Sequence, residues 1–341
     1  EISSCDWSSD VCSSDLREGS AEASAKNNIL VFRQKKHDRV FRQKVVSEPW
    51  HAVCICVTYV LTYAYIQSEE DKRMKVYISA DIEGVTGVTI WEETERGGIG
   101  YEKACAQMTA EVAAACRGAF AAGADEIVVK DAHDSALNLD PNGLPKGVKL
   151  IRGWTKSVES MMALIDETYD ITFFTGYHSE GGSNANPLAH TMTYSEMMTT
   201  KINGSRVSEM DINAWIAAQY GVPVGLVTGD KGLCDKAEKV LPGVVTVAVK
   251  DGVGEATVNL HPADAVELIE AKAKMAVENA KKGELRCIVI PQKLELELTF
   301  KEHMSACRAS NYPGAVLKNE HTVVYEASSY ADLLTAYSFM R

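Results

Sequence analysis

The chain lacks a basic face. Its 341 residues hold 35 Lys and Arg against 47 Asp and Glu, a net charge of −12, and no lysine- or arginine-rich stripe follows residue 74. Binding along a phosphate backbone needs such a stripe, which excludes nucleic acid as a partner. A C-x-x-C pair is also lacking. The nine cysteines stand at 5, 12, 54, 56, 105, 116, 234, 287 and 307, a spacing that argues against a cysteine zinc site. Those after residue 74 are odd in number and scattered, which suits buried thiols in a reducing compartment. The glycine-rich signatures fail as well. "EGVTGV" (83–88) lacks the G-x-G-x-x-G spacing and would set an acid against a pyrophosphate. "TGDKG" (228–232) lacks the G-K-[ST] ending, so Asp230 reads as a helix N-cap, and no G-x-S-x-G elbow or internal repeat occurs.

Long hydrophobic runs are scarce. The one candidate, "HAVCICVTYVLTYAYIQ" at 51–67, follows a polar, basic stretch (17–50) as a signal peptide or anchor would. At about 17 residues, interrupted by Thr and Tyr hydroxyls, it is short for a membrane span, and no small-x-small cleavage site follows. "DWSSDVCSSDL" at 6–16 matches, codon by codon, the translation of a common sequencing adapter. Residues 1–16 therefore read as an assembly artefact and 17–73 as read-through upstream of Met74. The expectation is a cytoplasmic chain of residues 74–341 with no membrane partner.

From Met74 onward, apolar strand-like runs at 75–80, 126–130, 148–151, 171–175, 223–228 and 244–249 alternate with helical patterns at 101–122, 157–167, 208–220, 231–240 and 262–281. Gly123 supplies a C-cap for the first helix. This alternation predicts an α/β fold: a three-layer α/β/α arrangement around a mostly parallel sheet. "NG" at 203–204 predicts a hairpin within 192–207. "CIVIPQKLELELTF" (287–300) and "HTVVYEAS" (321–328) read as strands and 329–340 as a last helix. The expected division is an α/β core over 74–250 and a smaller α+β subdomain over 251–341.

Ligands of open parallel sheets gather at the carboxyl ends of the strands. Asp81 and Glu83 follow the first strand, Asp131, His133 and Asp134 the second, and His178 the strand at 171–175. In an extended segment the D-x-E spacing puts both carboxylates on one face. Such a pair resists burial unless a cation joins it, and Gly84 lets the chain turn away at once. His133 and His178 are imidazoles of the kind that bind zinc. A strand-end histidine by itself is more often a hydrogen-bonded loop residue, and a strand-end acid more often a helix cap. The combination is what points to metal. His261, His303 and His321 lie in polar stretches and read as surface residues.

Six motifs, in order, resemble the D-aminopeptidase family of zinc metallopeptidases (DppA type): "SADIEGVTG", "VKDAHDS", "FTGYHS", "AHTM", "VSEMDINA" and "VPVGLVTGD". The resemblance runs from Met74 to near the end of the chain, and the 51–67 segment has no counterpart in it. It implies two Zn2+ per subunit, with ligands at Asp81, Glu83, His133, His178 and Glu209 and Asp81 bridging. It also implies a catalytic, non-ligand histidine at His190. Short peptides with N-terminal D-amino acids, D-Ala-D-Ala among them, would be the substrates. The assembly implied is a ring-shaped homo-oligomer, a decamer being one such ring. From the residues alone Glu209 reads as a first-turn capping acid.

Charge favours two metals. Three carboxylates and two neutral imidazoles leave a single divalent ion short of neutrality, whereas two ions leave one positive charge for a bridging hydroxide. The mechanism this implies is metal-assisted peptide hydrolysis. The roles open to His190 are nucleophile, general acid/base and oxyanion stabiliser, and a metal-activated water already supplies the first. Two other readings remain: a dinuclear hydrolase of another amide or a phosphoester bond, and a non-catalytic metal-binding protein on the same fold. D- over L-preference rests on the resemblance alone.

Overall fold

Residues 75–80 (KVYISA) alternate two apolar faces, and in the computed structural model both are used. Val76, Ile78 and Ala80 enter one core, while Tyr77 enters another across the sheet. The structure describes residues 21–26, 29–34, 40–44 and 73–341. The segments 1–16 and 51–67, for which an artefact and a short apolar run are expected, lie outside the described residues. Strands β1 (Ala21–Lys26), β2 (Ile29–Gln34) and β3 (Val40–Lys44) form an antiparallel sheet within a separate unit, Glu1–Lys72. The polar reading of 17–50 does not anticipate them, although Ile29–Phe32 has the β-branched and aromatic content that favours strands.

The second unit, Arg73–Arg341, holds the main sheet. Its strands are β4 (Lys75–Ala80), β5 (Glu126–Asp131), β6 (Val148–Ile151), β7 (Ile171–Tyr177), then, after a hairpin β8 (Met197–Ile202) and β9 (Ser205–Arg206), β10 (Val224–Asp230), β11 (Val245–Val253) and β12 (Ala256–Asn259). They lie in the order β12-β11-β10-β7-β4-β5-β6, parallel throughout except for β12. Strands β7 and β10 are buried along their whole length, as parallel strands covered on both faces are. Chain order runs one way from β4 through β5 to β6 and the other way from β7 through β10 to β11. The switch point where α/β sheets bind ligands therefore lies between β4 and β7.

Helices α1 (Tyr101–Ala121), α2 (Glu209–Gln219), α3 (Lys231–Val240) and α4 (Pro262–Lys281) cover the sheet. Helices α1 and α4 pack together on one face. Gly118 makes this possible, because a Cβ there would lie 2.2 Å from Glu270 O. The other face takes α2, α3 and a second, five-stranded sheet, ordered β14-β15-β13-β8-β9, with β13 (Leu294–Phe300), β14 (Val316–Asn319) and β15 (Thr322–Ala327). Helices α5 (His303–Ala309) and α6 (Tyr330–Met340) close that layer. The three-layer α/β fold is as expected. The hairpin turns at Asn203 and Gly204, both at positive φ (51° and 78°), the geometry that favours Asn-Gly. Residues 197–206 and 294–327 share the second sheet, while α4 packs on α1. The 251–341 segment thus contributes to both layers.

Two expected elements differ. The segment 157–167 is not a helix: only Ser160–Met162 makes a 3₁₀ turn. Lys156, Ser160 and Leu164 have positive φ, and the carbonyls of Met161 and Ala163 are taken by the Ser79 and Tyr77 hydroxyls. The strand expected over 287–300 begins only at Leu294, beyond Pro291, which cannot donate to a ladder. No helix among the described residues is long and apolar enough to cross a membrane.

Candidate metal centre

Two close approaches bring the ends of β4 and β7 together. Gly84 N donates to Gly176 O (2.8 Å), and a Cβ on Gly84 would stand 1.8 Å from Tyr177 O. Only glycine fits immediately after Glu83. Asp81 and Glu83 are each 2% exposed, and Ile82 between them is buried in the opposite core. Both carboxylates converge on one atom, His133 Nδ1, at 3.2 Å from Asp81 Oδ1 and 3.1 Å from Glu83 Oε2.

His133 is carried by a turn built around Asp131. The Asp131 carboxylate accepts from Asn138 N (2.6 Å), Asn138 Nδ2 (2.8 Å) and Leu139 N (2.8 Å), and Asn138 Nδ2 also donates to His133 O (2.7 Å). Asp131 is therefore a brace. Asp134 is exposed, outside the cluster, and offers its carbonyl to the Trp154 indole (2.7 Å). His178 follows β7 directly, and its Nε2 faces Asp81 Oδ2 (3.5 Å) and Glu209 Oε1 (3.6 Å).

Glu209 opens α2 but does not cap it. Ser208 is the N-cap, bonded reciprocally with Asp211, which leaves the Glu209 carboxylate to turn inward and accept from Met192 N (2.6 Å). The capping box Ser208–Asp211 was the available sequence signal, because a helix already capped by S-x-x-D has no need of a second acid. His190 Nε2 reaches the same Glu209 oxygen at 3.5 Å.

Each of the three histidines spends one ring nitrogen on a backbone carbonyl. The pairs are His133 Nε2 with Thr94 O (2.8 Å), His178 Nδ1 with Ser179 O (3.0 Å) and His190 Nδ1 with Leu188 O (2.9 Å). A carbonyl only accepts, so those nitrogens carry the proton and the other nitrogen of each ring is turned toward the acids. Metal-ligating histidines are oriented this way. Asp81 Oδ2, Glu83 Oε2 and His178 Nε2 are buried without a hydrogen bond of good geometry. Asp81, Glu83 and His133 offer ligand atoms within 4.8 Å of one another, and so do Asp81, His178 and Glu209; a third set is Glu83, His178 and His190. Imidazole nitrogens and carboxylate oxygens with orphaned lone pairs suit a divalent cation.

The electrostatics agree. Burial works to raise the Asp81 and Glu209 pKa values, but hydrogen bonds from His133 and His178 bring Asp81 down to about 2, and the His178 charge does the same for Glu209. Burial opposes charge on His133 and His178, yet Glu83 and Asp81 around the first, and Glu209 and Asp81 around the second, raise both well above the ordinary imidazole value.

The cluster opens into a cavity of about 670 Å³ that Asp81, Glu83, His133, His190 and Glu209 line together. Trp91 stacks on Tyr194 (centroids 3.8 Å apart) and sets its edge against His190 (5.3 Å), giving one wall. His261, as read, is exposed, and it N-caps α4. Asp230 caps α3 through Leu233 N (2.9 Å).

A sequence model of the D-aminopeptidase family of peptidases matches residues 74–339. The chain belongs to this family. As a D-aminopeptidase family member it is an aminopeptidase-type hydrolase. A curated relative, the D-aminopeptidase of Bacillus subtilis (strain 168), is 32% identical over 268 residues, 78% of this chain and 95% of the relative. A solved structure, that of the zinc-dependent D-aminopeptidase DppA from Bacillus subtilis, described as a self-compartmentalizing protease, superposes with a TM-score of 0.73 at 30% identity. That match covers 78% of this chain and 96% of the other.

Proposed function

We propose that this D-aminopeptidase-family chain hydrolyses short peptides with an N-terminal D-residue, D-Ala-D-Ala among them, using two zinc ions held by Asp81, Glu83, His133, His178 and Glu209. The observation that carries the reading is that Asp81 belongs both to a set with Glu83 and His133 and to a set with His178 and Glu209, so that it would be a ligand of each of two ions held there. The zinc dependence of the solved relative supports the choice of metal. Bound at these groups, zinc supplies Lewis acidity toward the scissile carbonyl and lowers the pKa of a water.

The chain's own residues do the rest. Thr94 O, Ser179 O and Leu188 O fix the three rings. Met192 N holds Glu209. His190 Nε2, free of any carbonyl, is the atom that takes or gives a proton to the reacting peptide or steadies its developing oxyanion. Trp91 and Tyr194 form an aromatic wall beside it.

The self-compartmentalizing relative supports a ring-shaped homo-oligomer, and the free cysteines at 105, 116, 234, 287 and 307 support a reducing, cytoplasmic setting. The test is hydrolysis of D-Ala-D-Ala and L-Ala-L-Ala before chelation, after it, and after zinc is returned. The D-peptide should be cut first, not after chelation, and again on zinc return. Cleavage that survives complete metal removal overturns the proposal.

A further inference from the structure

Lys250 sits on β11 and is 3% exposed. Among the described residues no carboxylate lies within ion-pair distance of it. Burying an ammonium is costly unless its donors are matched. Here they go to two backbone carbonyls, Glu83 O and Val88 O (2.6 Å to the latter). These are the two ends of the loop that leaves the metal-facing end of β4. Inside that loop, Thr86 N donates to Glu111 Oε1 (3.1 Å).

The Glu83 carbonyl takes a second donor, Asn186 Nδ2 (3.2 Å), and the same nitrogen donates to Asp230 Oδ2 (3.1 Å). So a lysine on β11 and an asparagine from the loop after β7 meet at the backbone of Glu83. The other set is braced differently. Glu209 is held by Met192 N, and Ser179, next to His178, is held by Asp230 through its N–H (2.7 Å) and its hydroxyl (2.5 Å).

We propose that Lys250 is a positioning residue: by clamping the Glu83 carbonyl it aims the Glu83 carboxylate at His133 and sets the affinity of that one metal position. Both carbonyls that Lys250 holds belong to the 83–88 loop and neither to a residue of the His178–Glu209 set, so that position does not depend on it. This rests on the dinuclear reading above.

The test is zinc titration of the metal-stripped full chain, by competition with a chelator, in wild type, Lys250→Met and Lys250→Gln. Removing an outer partner of a ligand typically costs 10–100-fold in metal affinity. Lys250→Met is expected to weaken one of two zinc affinities by about 10–100-fold and leave the other unchanged, and Lys250→Gln to weaken the same one by less. Thermal melts at one and two equivalents of zinc give a readout that a purely structural role would not move. The stabilisation added by the second equivalent should shrink while that of the first persists. Unchanged zinc affinities, or equal weakening of both, overturn the proposal, whatever happens to metal-free stability. If Lys250→Met does not fold, Lys250→Gln, which keeps a donor on a shorter side chain, decides by the same criterion. A wild type that takes up only one zinc removes the dinuclear reading, and the clamp then stands or falls on whether that single affinity drops.

Discussion

His178 and His190 stack with ring centroids 4.2 Å apart and planes 7° from parallel, and both aim Nε2 at a single atom, Glu209 Oε1. The rings have different surroundings. His178 Nε2 also faces Asp81, while His190 lines the open cavity against Trp91. Replacing His190 with Ala should therefore lower turnover by about 100-fold or more, the size of a lost acid/base group, with zinc content unchanged. Metal analysis beside kcat checks this. Zinc lost in parallel with activity would make His190 a ligand, through the set it forms with Glu83 and His178.

Asp81 and Glu83 look alike in sequence but not in position. Asp81 belongs to both sets assigned to the two proposed zinc ions, whereas Glu83 belongs to one of those and to the set with His178 and His190. Asp81→Asn should cost both zinc ions, and Glu83→Gln only one. Zinc per chain, measured after dialysis against metal-free buffer, separates the outcomes, and equal loss in both variants would remove the bridging role of Asp81.

With the proposed ligand set, zinc and protons would compete for His133 and His178. In the metal-free protein both imidazoles titrate well above their ordinary value because carboxylates surround them. The stability they contribute is full below about pH 6.5 and is lost as pH rises through their raised values. The stability contributed by Asp81 and Glu209 is present above about pH 4 and is lost as pH falls through about 2. Zinc needs neutral imidazoles, so its affinity should climb over the same alkaline range in which the metal-free fold weakens, with protons released on binding. Calorimetry in two buffers of different ionisation enthalpy checks the proton release. Zinc uptake with no proton exchange would contradict it.

Glu111 on α1 is a buried acid that does not join the cluster. Its Oε1 accepts from Thr86 N and Gln107 Nε2, both at 3.1 Å, while Oε2 has no hydrogen bond. Burial pushes its pKa up to about 7, against the pull of Gln107, Thr86 and Lys250. A raised carboxylate value favours the fold below about pH 4.3, and that contribution is lost as pH rises through about 7. Glu111→Gln should remove this dependence. Between about pH 4 and pH 8 the stability difference should move by about 3 kcal/mol in favour of the variant. Denaturant unfolding of both proteins across that range checks it.

The strands, their order of alternation with helices, and the acids and imidazoles at three strand ends were legible because each follows an apolar run whose side-chain period is local. Glu209 was not, since an acid in the first helical turn has a local explanation. The S-x-x-D pattern shows locally that Asp211 meets the capping need, but only the tertiary structure brings Met192 N to the freed Glu209 carboxylate. His190 follows no strand, and its neighbour Leu188, whose carbonyl orients it, carries no signal, so it entered through the family motif "AHTM". The helical pattern at 157–167 failed for a long-range reason: hydroxyls of Tyr77 and Ser79, some eighty residues earlier in the chain, capture the carbonyls of Ala163 and Met161.

Two ions sharing Asp81 are the core of the proposed centre. Anomalous diffraction at the zinc edge, from crystals of the zinc-loaded protein, measures this directly. Two peaks about 3.5–4 Å apart are predicted, both touching Asp81, one with Glu83 and His133 and the other with His178 and Glu209. A single peak, or peaks that do not share Asp81, would contradict it.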